Sequence, residues 1–92
     1  MRSRSISTIA SIEEGKAEVL ELEIGAGSSL IGKALKDASF PRGCVVAAIT
    51  REDGSVVIPR GDDEFRSLDQ MVLFVLHEVV DAVLALVGVE RE

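Results

Sequence analysis

Two apolar segments constrain the fold of this chain more than any other feature: residues 44–50, apolar at nearly every position, and residues 71–76, apolar throughout. Apolar runs of four to eight residues are typical of strands, because a helix of ordinary length needs ten or more residues. A run without polar alternation suits a strand that is covered on both faces. The two segments therefore predict two strands, and residues 44–50 are expected to be buried on both sides.

A third strand is predicted by an alternation with period two. Glu21 and Glu23 alternate with leucine and isoleucine across residues 17–24, which indicates one solvated and one buried face. Residues 13–16 are charged, contain a glycine and are expected to form a turn. Residues 5–12 are compatible with a strand but short and loosely patterned, so we expect an extended lead-in there.

The pair Asp53-Gly54 stands between apolar runs and is the strongest hairpin signal in the chain. Both residues tolerate the positive φ angles that a two-residue hairpin turn requires. Residues 55–58 are the expected partner strand. Pro59 cannot donate a hydrogen bond to a sheet, so it predicts the end of that strand or an edge position.

Two helices are predicted from apolar residues at helical spacing. Ser28 or Ser29 is suited to cap the first helix, which extends to about Ala38. The second helix covers residues 79–87 and ends near Gly88. The positions expected to be buried are Leu30, Ile31, Ala34, Leu35 and Ala38 in the first helix, and Val79, Val80, Val83, Leu84 and Val87 in the second.

The predicted order is β-α-β-β-β-α, with a doubtful strand in front. We expect a small α+β domain in which two helices pack on one face of a mixed sheet. The length of 92 residues fits one domain. Residues 1–16 are interpreted as the lead-in, residues 17–88 as the domain and residues 89–92 as a tail.

Composition and charge exclude several classes of function. The net charge of −6 argues against a protein that binds nucleic acid or anionic lipid directly, since both need a basic surface. Aromatic residues make up 3% of the chain, which is too few for stacking on bases. The single cysteine excludes an internal disulfide framework and a cysteine-rich zinc site.

Most residues with reactive side chains have ordinary interpretations. His77 has no second histidine or cysteine motif near it, so a structural or solvated histidine is favoured over a metal ligand. Cys44 begins an apolar run and is expected to be a buried small side chain rather than a nucleophile. The segment Gly25-Ala26-Gly27 lacks the third glycine of a dinucleotide-binding loop, because residue 30 is Leu30.

The segment 60–69 between the hairpin and the last strand is mostly polar. Phe65 and Leu68 are the two side chains in it that we expect to point inward. Residues 62–64 are acidic, and Asp69 follows five residues later. Without the spacing of a calcium-binding loop, these carboxylates predict a solvated turn.

Three arginines, Arg42, Arg51 and Arg60, stand near strand ends in an otherwise acidic chain. They are the candidate ligand-binding residues, because guanidinium groups bind anions through paired hydrogen bonds. Simple solvation of these side chains is the alternative. No arrangement of residues indicates catalysis or a metal site, so the chain is expected to be a binding or assembly module and not an enzyme.

Five segments in order resemble the TrkA C-terminal domain, also called the RCK C-terminal domain, of potassium transport regulators. The chain is most like the last such domain of a bacterial Trk-type potassium uptake regulator. No single segment is specific, but five in register are. The segments are residues 16–22, 27–35, 40–51, 57–62 and 69–74.

The resemblance implies a cytoplasmic regulatory domain that forms a homodimer and acts on a membrane potassium channel or transporter subunit at the inner membrane. It implies no cofactor in this domain, because NAD or ATP binds a separate RCK N-terminal domain in the family. It also offers an alternative, a domain that senses a small anion or nucleotide of the cyclic di-AMP class and is attached to a cation/proton antiporter or another carrier. Residues 38–41 and Val45 depart from the cyclic di-AMP motif of the family.

Overall fold

Five antiparallel strands form one open sheet in the computed structural model, which describes residues 6–88. The sheet has the order β1-β2-β5-β3-β4, so β5 lies at its centre. The α+β class is confirmed, whereas the expected mixed sheet is antiparallel throughout these residues. The strands are β1 Ile6–Ile12, β2 Ala17–Glu23, β3 Cys44–Thr50, β4 Val56–Val57 and β5 Gln70–Leu76.

The predicted C-terminal helix is confirmed. A 3-10 turn, His77–Val79, leads into the α-helix α1, Val80–Val87. The helix ends at Gly88, whose φ of 93° closes the last turn as a left-handed cap. No helix in residues 6–88 is long and apolar enough to cross a membrane.

The prediction of a first helix over residues 28–38 is wrong. The predicted arrangement of two helices on one face of the sheet is therefore wrong as well. This segment runs alongside residues 61–65 instead, and only Leu35–Asp37 form a short 3-10 turn. The amide of Gly32 donates to the carbonyl of Phe65 at 2.9 Å, and Gly32 has a φ of 85° that no α-helix tolerates. Hydrogen bonds to a distant segment thus replace those of a helix.

The two faces of the sheet have different surroundings, because successive side chains of a strand point to opposite sides. One side, here called the core face, is covered by α1 and by the loops between strands. Its large apolar residues in β2, β3 and β5 are Leu20, Leu22, Val46, Ile49, Met71, Leu73 and Val75, and all but Val46 are fully buried. Leu30, Ala38 and Phe65 complete the core from the loops.

Three burial predictions are wrong, and one of them concerns Ile31, which is 37% exposed. Residues 44–50 do form a strand, but Val45 on its second face is 61% exposed, so β3 is covered on one side only. Phe65 points inward as predicted, whereas Leu68 is 43% exposed. Leu68 occupies the left-handed region with a φ of 71°, in a tight turn that directs the chain into β5.

The predicted hairpin is confirmed, but its turn differs. Its hydrogen bonds join the amide of Arg51 to the carbonyl of Ser55 and the amide of Gly54 to the carbonyl of Arg51. Of the two central residues, Gly54 alone has a positive φ, 91°. This pattern is a three-residue loop closed by a left-handed glycine.

The residues before β2 also form a strand. The predicted extended lead-in contributes the edge strand β1, which pairs with β2 and is interrupted by a bulge near Ile9. Residues 1–5 of the lead-in, and the tail 89–92, lie outside the described residues.

Candidate functional site

The second side of the sheet, here called the outer face, faces away from α1. The strand register places Ala10, Val19, Phe74 and Val45 side by side in one row that crosses four strands. We call these four residues the apolar row. A neighbouring row contains Ile12, Ala17 and Leu76. The outer face is therefore continuously apolar over this half of the sheet.

Exposed large hydrophobic side chains concentrate on this face. Nine such side chains are exposed in residues 6–88, and five of them project from the outer face. Phe74, at the centre of the sheet, is 49% exposed. Four of the five lie in the apolar row or in the row beside it, and contiguous exposed apolar surface is typical of contact sites. The five are Ile12, Val45, Val56, Phe74 and Leu76.

The other half, here called the polar half, carries the two glutamates of the outer face, although Val56 and Val72 also lie in it. Glu21 lies beside Val72, and Glu23 lies beside Gln70. Among the strand positions of the outer face, these two glutamates are the charged residues, and none of the positions is lysine or arginine. The face thus combines an apolar half with an acidic half that has no cation of its own.

A buried ion pair holds the hairpin against the start of β5. The guanidinium of Arg51 contacts the carboxylate of Asp69 and also donates to the carbonyl of Glu64 at 3.1 Å. The amide of Arg66 donates to the same carboxylate oxygen, Oδ2, at 2.9 Å. Asp69 is 1% exposed, so the prediction that places it in a solvated turn is wrong. Spacing in the sequence gave no signal of this pair, since 18 residues separate its members.

The three candidate arginines are spread over the domain. Arg42 and Arg51 flank opposite ends of β3, a seven-residue strand, and at 3.3 Å per residue they are roughly 25 Å apart. Arg42 and Arg60 are exposed, while the guanidinium of Arg51 is occupied by Asp69. Within a single chain, Arg42 and Arg51 do not line a common pocket. Ligand binding by the three arginines stays a prediction.

A shallow cavity of about 470 Å³, here called the lateral groove, lies between the segment 35–40 and β3. Lys36 is its one charged lining residue, and its Nζ atom lies 2.9 Å from Asp62. The prediction of a helix over residues 28–38 concealed this groove. It is lined by Leu35, Lys36, Ser39, Phe40, Cys44, Val45, Val46 and Pro59.

The two residues with possible catalytic chemistry have ordinary surroundings. Burial raises the pKa of the Cys44 thiol to about 11, so the thiolate is scarce at neutral pH. Cys44 was predicted to be a buried small side chain, and the structure shows it half-buried. His77 is solvated, as predicted, and its Nδ1 atom lies 3.2 Å from the carboxylate of Glu18.

Comparison with known proteins identifies the class. Residues 19–88 match the TrkA-C domain family. These residues include β2 from Val19 onward, the hairpin, β5 and α1, so the match covers every residue of the buried core. The chain belongs to this family, and the resemblance read from its sequence is confirmed.

Particular relatives are potassium uptake proteins. The chain is 35% identical over 80 residues to "Trk system potassium uptake protein TrkA homolog 2" of Methanosarcina mazei, covering 87% of this chain and 18% of that protein. It is 33% identical over 92 residues to "Trk system potassium uptake protein TrkA" of Azorhizobium caulinodans, covering 100% of this chain and 20% of the relative. The chain therefore spans about a fifth of the length of these relatives.

Proposed function

We propose that this chain is a non-catalytic, cytoplasmic regulatory domain of a potassium uptake system and that it works as a homodimer. Membership of the TrkA-C family and the names of the relatives support the link to potassium uptake. The observation that carries the proposal is the exposed apolar half of the outer face. We propose no cofactor for this domain and expect any NAD or ATP of the potassium uptake system to bind a separate domain.

A second copy of the chain is the partner that best fits the outer face. The apolar row is aliphatic apart from Phe74, and its neighbours Ala17 and Leu76 extend the same surface. A copy of the chain offers the same apolar surface in return, and self-complementary contact about a two-fold axis is the commonest form of assembly. Burying this surface provides a driving force that grows with the apolar area removed from water.

A dimer interface gives a regulatory domain its mechanism. An effector changes the state of a protein only if it binds two arrangements with different affinity. Two subunits that pack in two alternative ways provide such arrangements, because packed interfaces switch rather than deform continuously. The domain would transmit this change in dimer packing to a transport subunit at the inner membrane, because the domain and the subunit would belong to one assembly.

Sedimentation of the chain tests the dimer. We expect a dimer at high micromolar concentration and a monomer for Phe74→Asp, which places a charge in the centre of the apolar row. Thr50→Asp is the matched control, because Thr50 is on the polar half of the outer face. A wild-type chain that remains monomeric at that concentration would overturn the proposal.

Transport measurements test the link to potassium. Cells that depend on this protein for growth at low potassium would carry wild-type, Phe74→Asp or Thr50→Asp forms of the gene. We expect slower potassium uptake with Phe74→Asp and normal uptake with Thr50→Asp. Equal uptake in all three strains would contradict a regulatory role for this surface.

The lateral groove favours one alternative function, sensing of a small anion or a nucleotide of the cyclic di-AMP class by a domain attached to a cation/proton antiporter or another carrier. The groove includes Ser39, Phe40 and Val45, the positions at which the family's cyclic di-AMP motif would lie and at which this chain departs from that motif. Lys36 would be its one cationic contact within a single chain. Calorimetry with cyclic di-AMP decides: heat that disappears in Lys36→Ala supports this function, and no heat removes it for this ligand.

A further inference from the structure

A further cavity lies where the hairpin loop meets the loop that precedes β5. Its volume is about 470 Å³, within the range of sites for small molecules. We call it the loop cleft, and it shares no lining residue with the lateral groove. It is lined by Arg51, Glu52, Asp53, Arg66, Ser67 and Asp69.

The Asp69 carboxylate in the wall of the loop cleft has one oxygen without a hydrogen-bond partner. Its Oδ2 atom accepts bonds from Nη1 of Arg51 and from the amide of Arg66. Its Oδ1 atom is buried and accepts no hydrogen bond within the described part of the chain. An unsatisfied buried acceptor costs free energy, and the cost is larger when the group is charged. A hydrogen-bond donor that enters the loop cleft would remove this cost.

Arg51 has donors that its protein contacts do not use. Its side chain is 10% exposed, and its hydrogen bonds to Asp69 and to the carbonyl of Glu64 both come from Nη1. A guanidinium has five N–H donors, so the donors on Nη2 and Nε are left to bind an acceptor. The wall of the cleft thus places an unsatisfied acceptor beside a guanidinium with further donors.

The charges of the loop cleft are mixed. A simple anion would meet three carboxylates, and a simple cation would meet two guanidinium groups. Residues 6–88 also contain no group of three or more histidine, cysteine, aspartate or glutamate side chains that could hold a metal ion. A ligand with both charges close together therefore fits the cleft better than an ion of either sign. The charged groups are Arg51 and Arg66 against Glu52, Asp53 and Asp69, with a net charge of −1.

We propose that the loop cleft binds a free α-amino acid in its zwitterionic form and that a basic amino acid binds best. The ammonium group donates to the carboxylate of Asp69, whose Oδ1 atom has a bond to accept. The carboxylate of the ligand accepts from Arg51 and Arg66, because guanidinium and carboxylate groups pair through parallel hydrogen bonds. A positive side chain balances the net charge of the cleft and has the exposed carboxylate of Glu52 beside it. This assignment does not depend on the proposed homodimer.

A bound amino acid would join the two loops that form the cleft. Arg51 opens the hairpin loop, while Ser67 belongs to the loop before β5. The unfolded chain does not bring these loops together, so the ligand binds the folded form and stabilises it. A rise in the melting temperature therefore reports binding independently of heat.

Calorimetry with L-lysine and two analogues that each lack one charge tests the site. Cadaverine has no carboxylate, and Nα-acetyl-L-lysine has no α-ammonium group. We expect heat and a higher melting temperature with L-lysine, and at least tenfold weaker binding of each analogue. Equal binding of cadaverine would make the cleft a cation site, and equal binding of Nα-acetyl-L-lysine would make it an anion site. Either result overturns the proposal, and so does the absence of heat with L-lysine.

The variant Arg66→Gln and its matched control Arg60→Gln locate the site. Both arginines are exposed, and the backbone amide of each donates to the aspartate three residues later, Asp69 or Asp63. Arg66 lines the loop cleft and Arg60 does not, and neither substitution removes the backbone hydrogen bond. We expect L-lysine to bind at least tenfold more weakly to Arg66→Gln and within twofold of the wild type to Arg60→Gln. Equal affinities of the two variants would contradict binding in this cleft.

Discussion

The two faces of one sheet show how the same strands serve two purposes. On the core face, Leu73 of β5 is fully buried under α1 and the loops. Its neighbour Phe74 points to the outer face and is 49% exposed, although both residues are strongly apolar. The difference teaches that apolar character in a strand does not specify burial within a single chain, because burial depends on which face of the sheet the side chain lies on.

The charged residues of the core face and of the outer face also differ in their surroundings. Asp69, which precedes β5 in line with the core-face residues, is buried and bonded to Arg51 and to the backbone. Glu21 on the outer face remains partly accessible. The core tolerates a charge because it provides a partner, whereas the outer face tolerates one only at the water boundary.

The largest effect is expected from Arg51→Ala. It would leave the carboxylate of Asp69 buried without its counter-ion, and such a change destabilises a fold by about 3–5 kcal/mol. Urea unfolding measures it, with the exposed Arg42→Ala as control, expected within about 0.5 kcal/mol of the wild type. A loss below about 1 kcal/mol for Arg51→Ala would mean that water already solvates Asp69.

A matched pair of neighbours tests the two faces directly. Leu73→Ala should lower the free energy of unfolding by about 2–5 kcal/mol, because it opens a cavity in the core. Phe74→Ala should cost less than about 1 kcal/mol in dilute monomer, and its main effect should be a weaker dimer. Chemical unfolding at low protein concentration separates the two, and equal losses would contradict an open outer face.

Leu68→Gly should stabilise the chain. Leu68 is exposed and has a φ of 71°, a conformation that costs a residue with a β-carbon roughly 1 kcal/mol or more. Glycine removes this strain but adds freedom to the unfolded chain, so a net gain of about 0.5 kcal/mol is expected. Ser67→Gly is the control at the neighbouring position, which has no positive φ, and it should destabilise the chain. A fall in the melting temperature for Leu68→Gly would show that the Leu68 side chain makes stabilising contacts.

The smallest effect concerns the hairpin and pH. Hydrogen bonds from the amide and hydroxyl of Ser55 hold the pKa of Asp53 below its ordinary value of 3.8, with a further contribution from the charge of Arg66. A lowered pKa contributes stability above the unfolded value, and this contribution is lost as pH falls through the folded pKa. Asp53→Ala should therefore flatten the acid side of a plot of melting temperature against pH, and an unchanged slope would remove Asp53 as a contributor.

Local patterns in the sequence were reliable where the chain satisfies its own hydrogen bonds or follows a strict alternation. The alternation of β2, the hairpin at Gly54 and the valine stripe of α1 were all predicted, because each depends on neighbouring residues. The segment 28–38 was mispredicted. Its apolar spacing is helical, but backbone bonds to residues 61–65 and the positive φ of Gly32 exclude a helix.

The sequence by itself determined the family, the α+β class and the central strands. Tertiary structure alone decided which residues share a face and which charges meet. The ion pair of Arg51 with Asp69 and the row that joins Val19 to Phe74 both depend on strand register. Register is set by contacts between residues far apart in the chain, and no local pattern encodes it.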